Sequence, residues 1–232
     1  MKKINVYLRH CYYSKIQESP GKQRPFWWDK EKVFNNFKST INPETTTYTI
    51  IYDEYYGKIE NTFLSDETNV HIINSGGEAK SFLKTLEYIQ TQNHSQDDII
   101  YFLEDDYIHL PNWDKIILEG FTLPISYLTL YDHRDKYGEY YRDFRTKVLF
   151  TDSCHWMATP STTNTFAVKY STLIKDLEIH TKYSTGVEPT ADHYKFLELS
   201  QNGRVLISSL PGYSTHCQQN LLSPCINWDQ YL

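Results

Sequence analysis

Short apolar blocks alternate with amphipathic stretches through the first half of the chain. Residues 4–10 read as a first strand, and 12–28, broken by Pro20-Gly21 and Pro25, as a loop. Residues 29–41 put Val33, Phe34 and Phe37 on one helical face, with Asp29 placed to cap the first turn. Strands are expected at 48–53 and 69–74, the second closed by Gly76-Gly77. Residues 78–92 carry Phe82, Leu83, Leu86 and Ile89 at helical spacing. The apolar run 99–103 has the length and composition of a buried strand. A short helix at 112–120 and a strand at 125–131 follow. This β-α-β-β-α-β order predicts an α/β fold with a mixed, mostly parallel sheet covered by helices. Further on the pattern predicts strands at 147–150, 165–168 and 204–209, and helices at 171–182 and 191–202.

The chain has 232 residues, enough for a core that needs no staples, and no repeat or Gly/Ser linker divides it. A single domain over 1–232 is therefore expected. The net charge of −6 comes with no basic stripe, which argues against nucleic acid as a partner. No apolar run is long enough for a transmembrane segment. The first residues read as a strand and not as a signal peptide, so a cytoplasmic protein is expected, with a membrane-peripheral position left open. The four cysteines, Cys11, Cys154, Cys217 and Cys225, match no zinc spacing and are expected to be reduced. The 20 tyrosines and 5 tryptophans would suit stacking on sugars or bases.

The strongest chemical signal is where the run 99–103 ends in Glu104, Asp105 and Asp106. Adjacent carboxylates repel and are costly to desolvate unless something positive sits beside them. Hard oxygen donors at a rigid strand end suit Mn²⁺ or Mg²⁺, above all when a phosphate completes the shell. Open α/β sheets bind ligands at that same end. Asp53 closes an earlier strand and could accept from a base or ribose. Lys80 opens a helix and could meet a diphosphate. Arg9 ends the first strand beside the same sheet edge.

The segment Phe102-Leu-Glu-Asp-Asp-Tyr-Ile-His-Leu-Pro-Asn-Trp113 resembles the DXD region of GT-A-fold (Rossmann-like) glycosyltransferases, especially the family 2-like inverting enzymes. Gly77-Glu-Ala-Lys-Ser81, Thr165-Phe-Ala-Val-Lys169, Thr190-Ala-Asp-His-Tyr-Lys-Phe-Leu197 with Asn202-Gly-Arg-Val205, and Tyr213-Ser-Thr-His216 resemble its other segments, in order. The chain departs from the pattern at Glu104, Lys80, Ala191 and Tyr194. The resemblance implies a metal-dependent transfer of a sugar from a nucleotide-diphosphate donor, UDP or GDP, to a hydroxyl of a glycan, a lipid-linked acceptor or a protein. It implies a nucleotide-binding half over about 1–110 and an acceptor-binding half over about 111–232. It implies Asp106 and His216 as metal ligands, Glu104 and Asp105 toward the ribose or metal waters, and Asp192 as the base, with Glu188 as runner-up. Trp156 and Trp113 are candidate stacking surfaces for the acceptor.

Three other readings stand beside it. One is a non-catalytic nucleotide-sugar or glycan scaffold, and another is a metal-dependent phosphohydrolase. The third is a nucleotidyltransferase, which wants a Gly-rich loop with a basic residue straight after the first strand. Here Arg9-His-Cys-Tyr-Tyr-Ser-Lys15 has no glycine, which argues against it.

Overall fold

The computed structural model describes residues 3–14 and 22–232; Pro20-Gly21 lies outside them. The elements, in chain order, are β1 (Ile4–Cys11), α1 (Lys30–Thr40), β2 (Thr46–Asp53), β3 (Val70–Ile73), α2 (Glu78–Thr91), β4 (Ile99–Glu104), β5 (Tyr107–His109), α3 (Trp113–Gly120), β6 (Tyr127–Thr129), β7 (Val148–Phe150), β8 (His155–Ala158), β9 (Phe166–Lys169), α4 (Tyr170–Lys175), α5 (Leu177–Lys182), α6 (Asp192–Gln201), β10 (Leu206–Leu210) and β11 (Ser214–His216). Nine strands form one sheet in the order β3-β2-β1-β4-β9-β6-β10-β8-β7. β3, β2, β1 and β4 are parallel neighbours, and β6 and β10 pair in parallel. β9 and β8 run against their neighbours. The fold is thus the mixed, mostly parallel α/β sheet expected.

Side-chain alternation along the strands splits the core into two layers. Val6 and Leu8 of β1, with Tyr101 and Leu103 of β4, pack under Phe34 and Phe37 of α1 and Trp113, Ile116 and Ile117 of α3. Tyr7, Ile100 and Phe102 point the other way, onto Phe82, Leu86 and Ile89 of α2 and Phe196 and Leu199 of α6. Asp29 caps α1, its Oδ1 accepting from Lys32 N at 2.9 Å. Asn36 of α1 clasps the backbone of β5, accepting from His109 N at 2.8 Å and donating to His109 O at 3.0 Å.

Several details differ from expectation, each for a local reason. The helix expected over 171–182 breaks at Asp176, whose carboxylate is gripped by Arg204 Nε and Nη2 (2.8 and 2.6 Å) and by Tyr127 Oη (2.8 Å). Gly203, at φ +77°, closes α6 in the left-handed region and delivers Arg204 to that grip. β5 pairs with β11 in a two-stranded sheet too short to show a period. Between the strands expected at 147–150 and 165–168 lies a further one, β8, which carries Trp156 into the core.

That last point corrects the two stacking candidates. Trp113 and Trp156 are fully buried, and their indole N–H groups donate to Thr40 Oγ1 and Thr151 Oγ1, both at 3.1 Å. Gly120 lies against Trp156 and Leu128 so closely that a Cβ there would overlap Leu128. Neither indole can receive a ligand without opening the core. Trp113→Ala is expected to cost about 3–5 kcal/mol in urea unfolding, as large aromatic truncations in packed cores do. A loss near zero would mean that Trp113 does not anchor this layer.

Candidate functional site

A cleft of about 360 Å³ opens at the carboxyl ends of β1, β2 and β4. Strand order reverses here: β1 leads to β2 on one side, and the chain returns through α2 to β4 on the other. Arg9, His10 and Cys11 end β1, Asp53 ends β2, and Glu104 ends β4, followed by Asp105 and Asp106. Gly76, Gly77, Glu78 and Ser81 contribute the start of α2. Thr163, Glu188, Thr190, Asp192 and His216 come from the second half, and Lys22 from the connection before α1. Residues on both sides of position 110 therefore line one cleft.

Each of the three acids at the end of β4 meets a cation. Arg9 Nη2 lies 3.1 Å from Glu104 Oε1. Lys30 Nζ donates to Asp105 Oδ2 at 2.8 Å, and Cys11 N donates to the same oxygen at 3.3 Å. Arg24 Nη2 and His216 Nε2 both stand 3.0 Å from Asp106 Oδ2. Burial would raise all three acids. His216 and Arg24 override it at Asp106 and hold that carboxyl well below the usual range, and Lys30 does the same for Asp105. At Glu104 burial wins over Arg9 and pushes the carboxyl up to about 8. Arg9 is shared, because its Nη1 donates to Glu78 Oε1 at 2.7 Å.

Glu78 anchors a second arc. It also accepts from Asn164 Nδ2 (2.7 Å) and Thr190 N (2.8 Å); burial opposes, but Arg9 and these donors bring it down to about 2. Lys195, fully buried, donates to Asn164 Oδ1 and, at 3.1 Å, to Asp192 Oδ1. Burial lifts Asp192 to about 6 against the pull of Lys195. Glu188 Oε1 accepts from Glu78 N at 2.7 Å, across the start of α2. It approaches so closely that a Cβ on Gly77 would overlap its carboxylate.

The structure thus brings Arg9, Asp53, Glu104, Asp105, Asp106, Glu188, Asp192 and His216 to one cleft. Asp53 faces inward too, accepting from Tyr55 N, Ser75 N and Gly76 N at 2.9–3.1 Å and from Ser75 Oγ, so it shapes the turn before α2. Lys80, like the two tryptophans, does not join them: it lies exposed on the outer face of α2, one position off the row that reaches the cleft. Glu78, Arg24, Lys30, Asn164 and Lys195 were not singled out from sequence. Only Lys195 carried a local sign, three residues after Asp192 on one helix, a pairing distance.

The arrangement does not fit a resident Mn²⁺ or Mg²⁺. Among the described residues no three His, Cys, Asp or Glu groups converge on a common point. Asp105 turns toward α1 and Asp106 toward β11, and His216 bonds Asp106 instead of standing beside it as a second ligand.

No protein-family model and no curated protein matches the sequence. Solved structures share its fold. A CMP:2-keto-3-deoxy-manno-octonic acid synthetase complexed with CTP aligns over 91% of this chain and 92% of its own, at 14% identity and a TM-score of 0.50. A 4-diphosphocytidyl-2C-methyl-D-erythritol synthase from Anaerococcus prevotii aligns over 94% and 92%, at 9% identity and the same TM-score. Both are nucleotidyltransferases, and this corrects the expectation of a GT-A glycosyltransferase with a UDP- or GDP-sugar donor and a sugar acceptor. The scaffold and phosphohydrolase readings fit no better. The glycine-loop argument against a nucleotidyltransferase also weakens, since Lys22, Arg24 and Lys30 bring basic groups to the end of β1 from further along the chain. Among the described residues no helix is long and apolar enough to cross a membrane.

The shifts at Glu104 and Glu78 have opposite consequences. Folded Glu104 keeps its proton between its ordinary 4.5 and about 8, where the unfolded chain has lost it. Its contribution to stability is complete below that window and disappears as pH rises through it. Glu78 contributes above 4.5 and loses its contribution as pH falls toward about 2. The stability of wild type relative to Glu104→Gln is therefore expected to decline from about pH 5 to about pH 8 in paired urea titrations. A constant difference would mean that Glu104 is ionised throughout.

Proposed function

We propose that the cleft binds a nucleoside triphosphate and that the chain transfers its nucleotidyl group to an oxygen acceptor. The observation that carries this reading is the position of the cleft. It lies at the carboxyl ends of parallel strands where their order reverses between β1 and β4, the place where doubly wound sheets bind nucleotides. The shared fold of the nucleotidyltransferases above is consistent with it.

In this reaction the acceptor oxygen bonds to the α-phosphorus, the bond from that phosphorus to the bridging oxygen breaks, and pyrophosphate leaves. Charge builds on the leaving group, so fixed cations near it lower the barrier. Lys22 lines the cleft beside the acidic cluster and Arg9 lies at its floor, which suits both to the phosphates. The triphosphate brings its own Mg²⁺ as part of the substrate, since that ion is bound largely through phosphate oxygens and water. The acceptor must lose a proton. Asp192 lines the cleft and titrates near 6, so it is ionised yet basic at neutral pH. Glu188 is the lesser candidate because it already accepts from the first amide of α2. Lys195 donates to the Asp192 carboxylate and is itself held by Asn164.

The test is thermal melting with ATP, CTP, GTP and UTP in turn, each with Mg²⁺, followed by pyrophosphate release. One triphosphate should stabilise the chain by about 2.7 kcal/mol at a hundredfold excess over its Kd. No response to any of the four overturns the reading. Asp192→Asn is expected to keep that stabilisation and lose about 10²–10⁴-fold in transfer rate, the usual worth of a general base. An unchanged rate would move the proton transfer away from Asp192.

A further inference from the structure

We infer that Arg24 and Lys30 hold the place of a divalent cation at the acidic cluster, so that the resting cleft keeps free Mn²⁺ off Asp105 and Asp106. Three successive acids at one strand end are the donor type that hard divalent ions prefer, and such ions need several oxygens aimed at one point. Here the oxygens are aimed at protein cations. Asp106 Oδ2 accepts from Arg24 and His216, and Asp105 Oδ2 from Lys30 and Cys11 N.

The cations are built into the frame. Arg24 Nη1 donates to Cys217 O at 2.7 Å, the residue after β11, and its guanidinium lies 4.6 Å from the centre of the Trp28 ring. Lys30 Nζ donates to Cys11 O at the end of β1 as well as to Asp105. A backbone carbonyl thus anchors each cation independently of the carboxylate it neutralises. An arriving metal ion would have to displace both cations and leave those carbonyls without their donors. Both acids are deeply buried, at 6% and 3% exposure, so a metal would enter a site whose negative charge is already neutralised.

Mn²⁺ binding measured without nucleotide tests these residues alone, whichever nucleotide the cleft takes. The experiment uses Mn²⁺ alone, without nucleotide, and reads free Mn²⁺ by electron paramagnetic resonance with the full chain. Wild type is expected to bind no Mn²⁺ more tightly than about 1 mM, the weak end of oxygen-donor sites. Arg24→Gln removes one positive charge beside Asp106 and is expected to bind at least about tenfold more tightly, a modest share of the Coulomb energy at that distance. Arg24→Lys keeps the charge and should behave like wild type. Binding by wild type at tens of micromolar overturns the inference, and that measurement stands even if Arg24→Gln fails to fold. A folded Arg24→Gln with no gain, or a gain equal to that of Arg24→Lys, also overturns it. Failure of the triphosphate melting test alone leaves this result unaffected.

Discussion

Charge neutralisation at the end of β4 is the constraint around which this molecule is arranged. Asp105 and Asp106 are almost fully buried and Glu104 is partly so, and three adjacent carboxylates cannot stay ionised there without fixed positive partners. The partners come from three places: Arg9 from β1, Lys30 from the first turn of α1, and Arg24 from the connection between them. His216 of β11, far along the chain, adds a hydrogen-bond contact to Asp106 at 3.0 Å. These contacts therefore tie the neighbouring strand, a covering helix and the β5–β11 ribbon to one point. Removing a single partner of such a buried pair typically costs about 3–5 kcal/mol, because the remaining charge has nowhere to go. The pairs specify how these elements meet, whereas the apolar layers on both sides of the sheet provide most of the driving force for folding.

Arg9 shows why the site has two different acids. It touches Glu78 and Glu104 together, and one guanidinium cannot satisfy two carboxylates equally in a buried setting. Glu78 has Asn164 and Thr190 N as further donors and stays ionised, whereas Glu104 has one weak hydroxyl contact from Thr165 at 3.3 Å and is pushed toward the protonated form. The same logic repeats around Lys195, which serves Asn164 and Asp192 and leaves Asp192 close to neutral pH. Three ionised carboxylates thus act as structural anchors, at Glu78, Asp105 and Asp106, and two acids with raised affinity for protons, Glu104 and Asp192, face the cleft.

Much of the architecture was legible in the sequence because it rests on local periods. The strands 4–10 and 99–103, the helix after Asp29 and the helix carrying Phe82, Leu86 and Ile89 all stand where the pattern put them, within a residue or two. What the period could not reveal was brevity and tertiary tension. β5 and β11 have three residues each, and the break at Asp176 depends on Arg204, 28 positions away. Asp105 and Asp106 stood out in the sequence as a ligand site because adjacent acids are conspicuous. The cations that answer them, 75 and 82 residues distant, carry no local mark. Burial misled in the other direction for Trp113 and Trp156, since a tryptophan's chemistry looks the same in a binding wall and in a packed layer. For Trp156 the sheet register, which places it opposite Ser209 and Leu149, decides the matter, and for Trp113 the packing of α3 against the sheet does.

The reversal of strand order beside β1 explains why the charged groups collect where they do. In β3-β2-β1-β4 the chain leaves β1 through α1 to β2 and returns from β3 through α2 to β4 on the other side of β1, so no crossover covers the carboxyl ends between β1 and β4. Side chains at the ends of these two strands, in register from Ile4–Ile99 to Arg9–Glu104, must face either water or a ligand there. The sequence places an arginine and a glutamate at that last pair, followed on one strand by a histidine and on the other by two aspartates. An apolar plug at this position would have closed the gap and stabilised the sheet. The chain instead keeps a polar cleft of about 360 Å³ there, held open by ion pairs whose geometry depends on elements from both halves. Such a set of buried charges is costly to maintain for stability alone, since packed hydrophobic groups often serve that purpose as well or better. That cost is the physical reason for placing the function of this chain in this cleft.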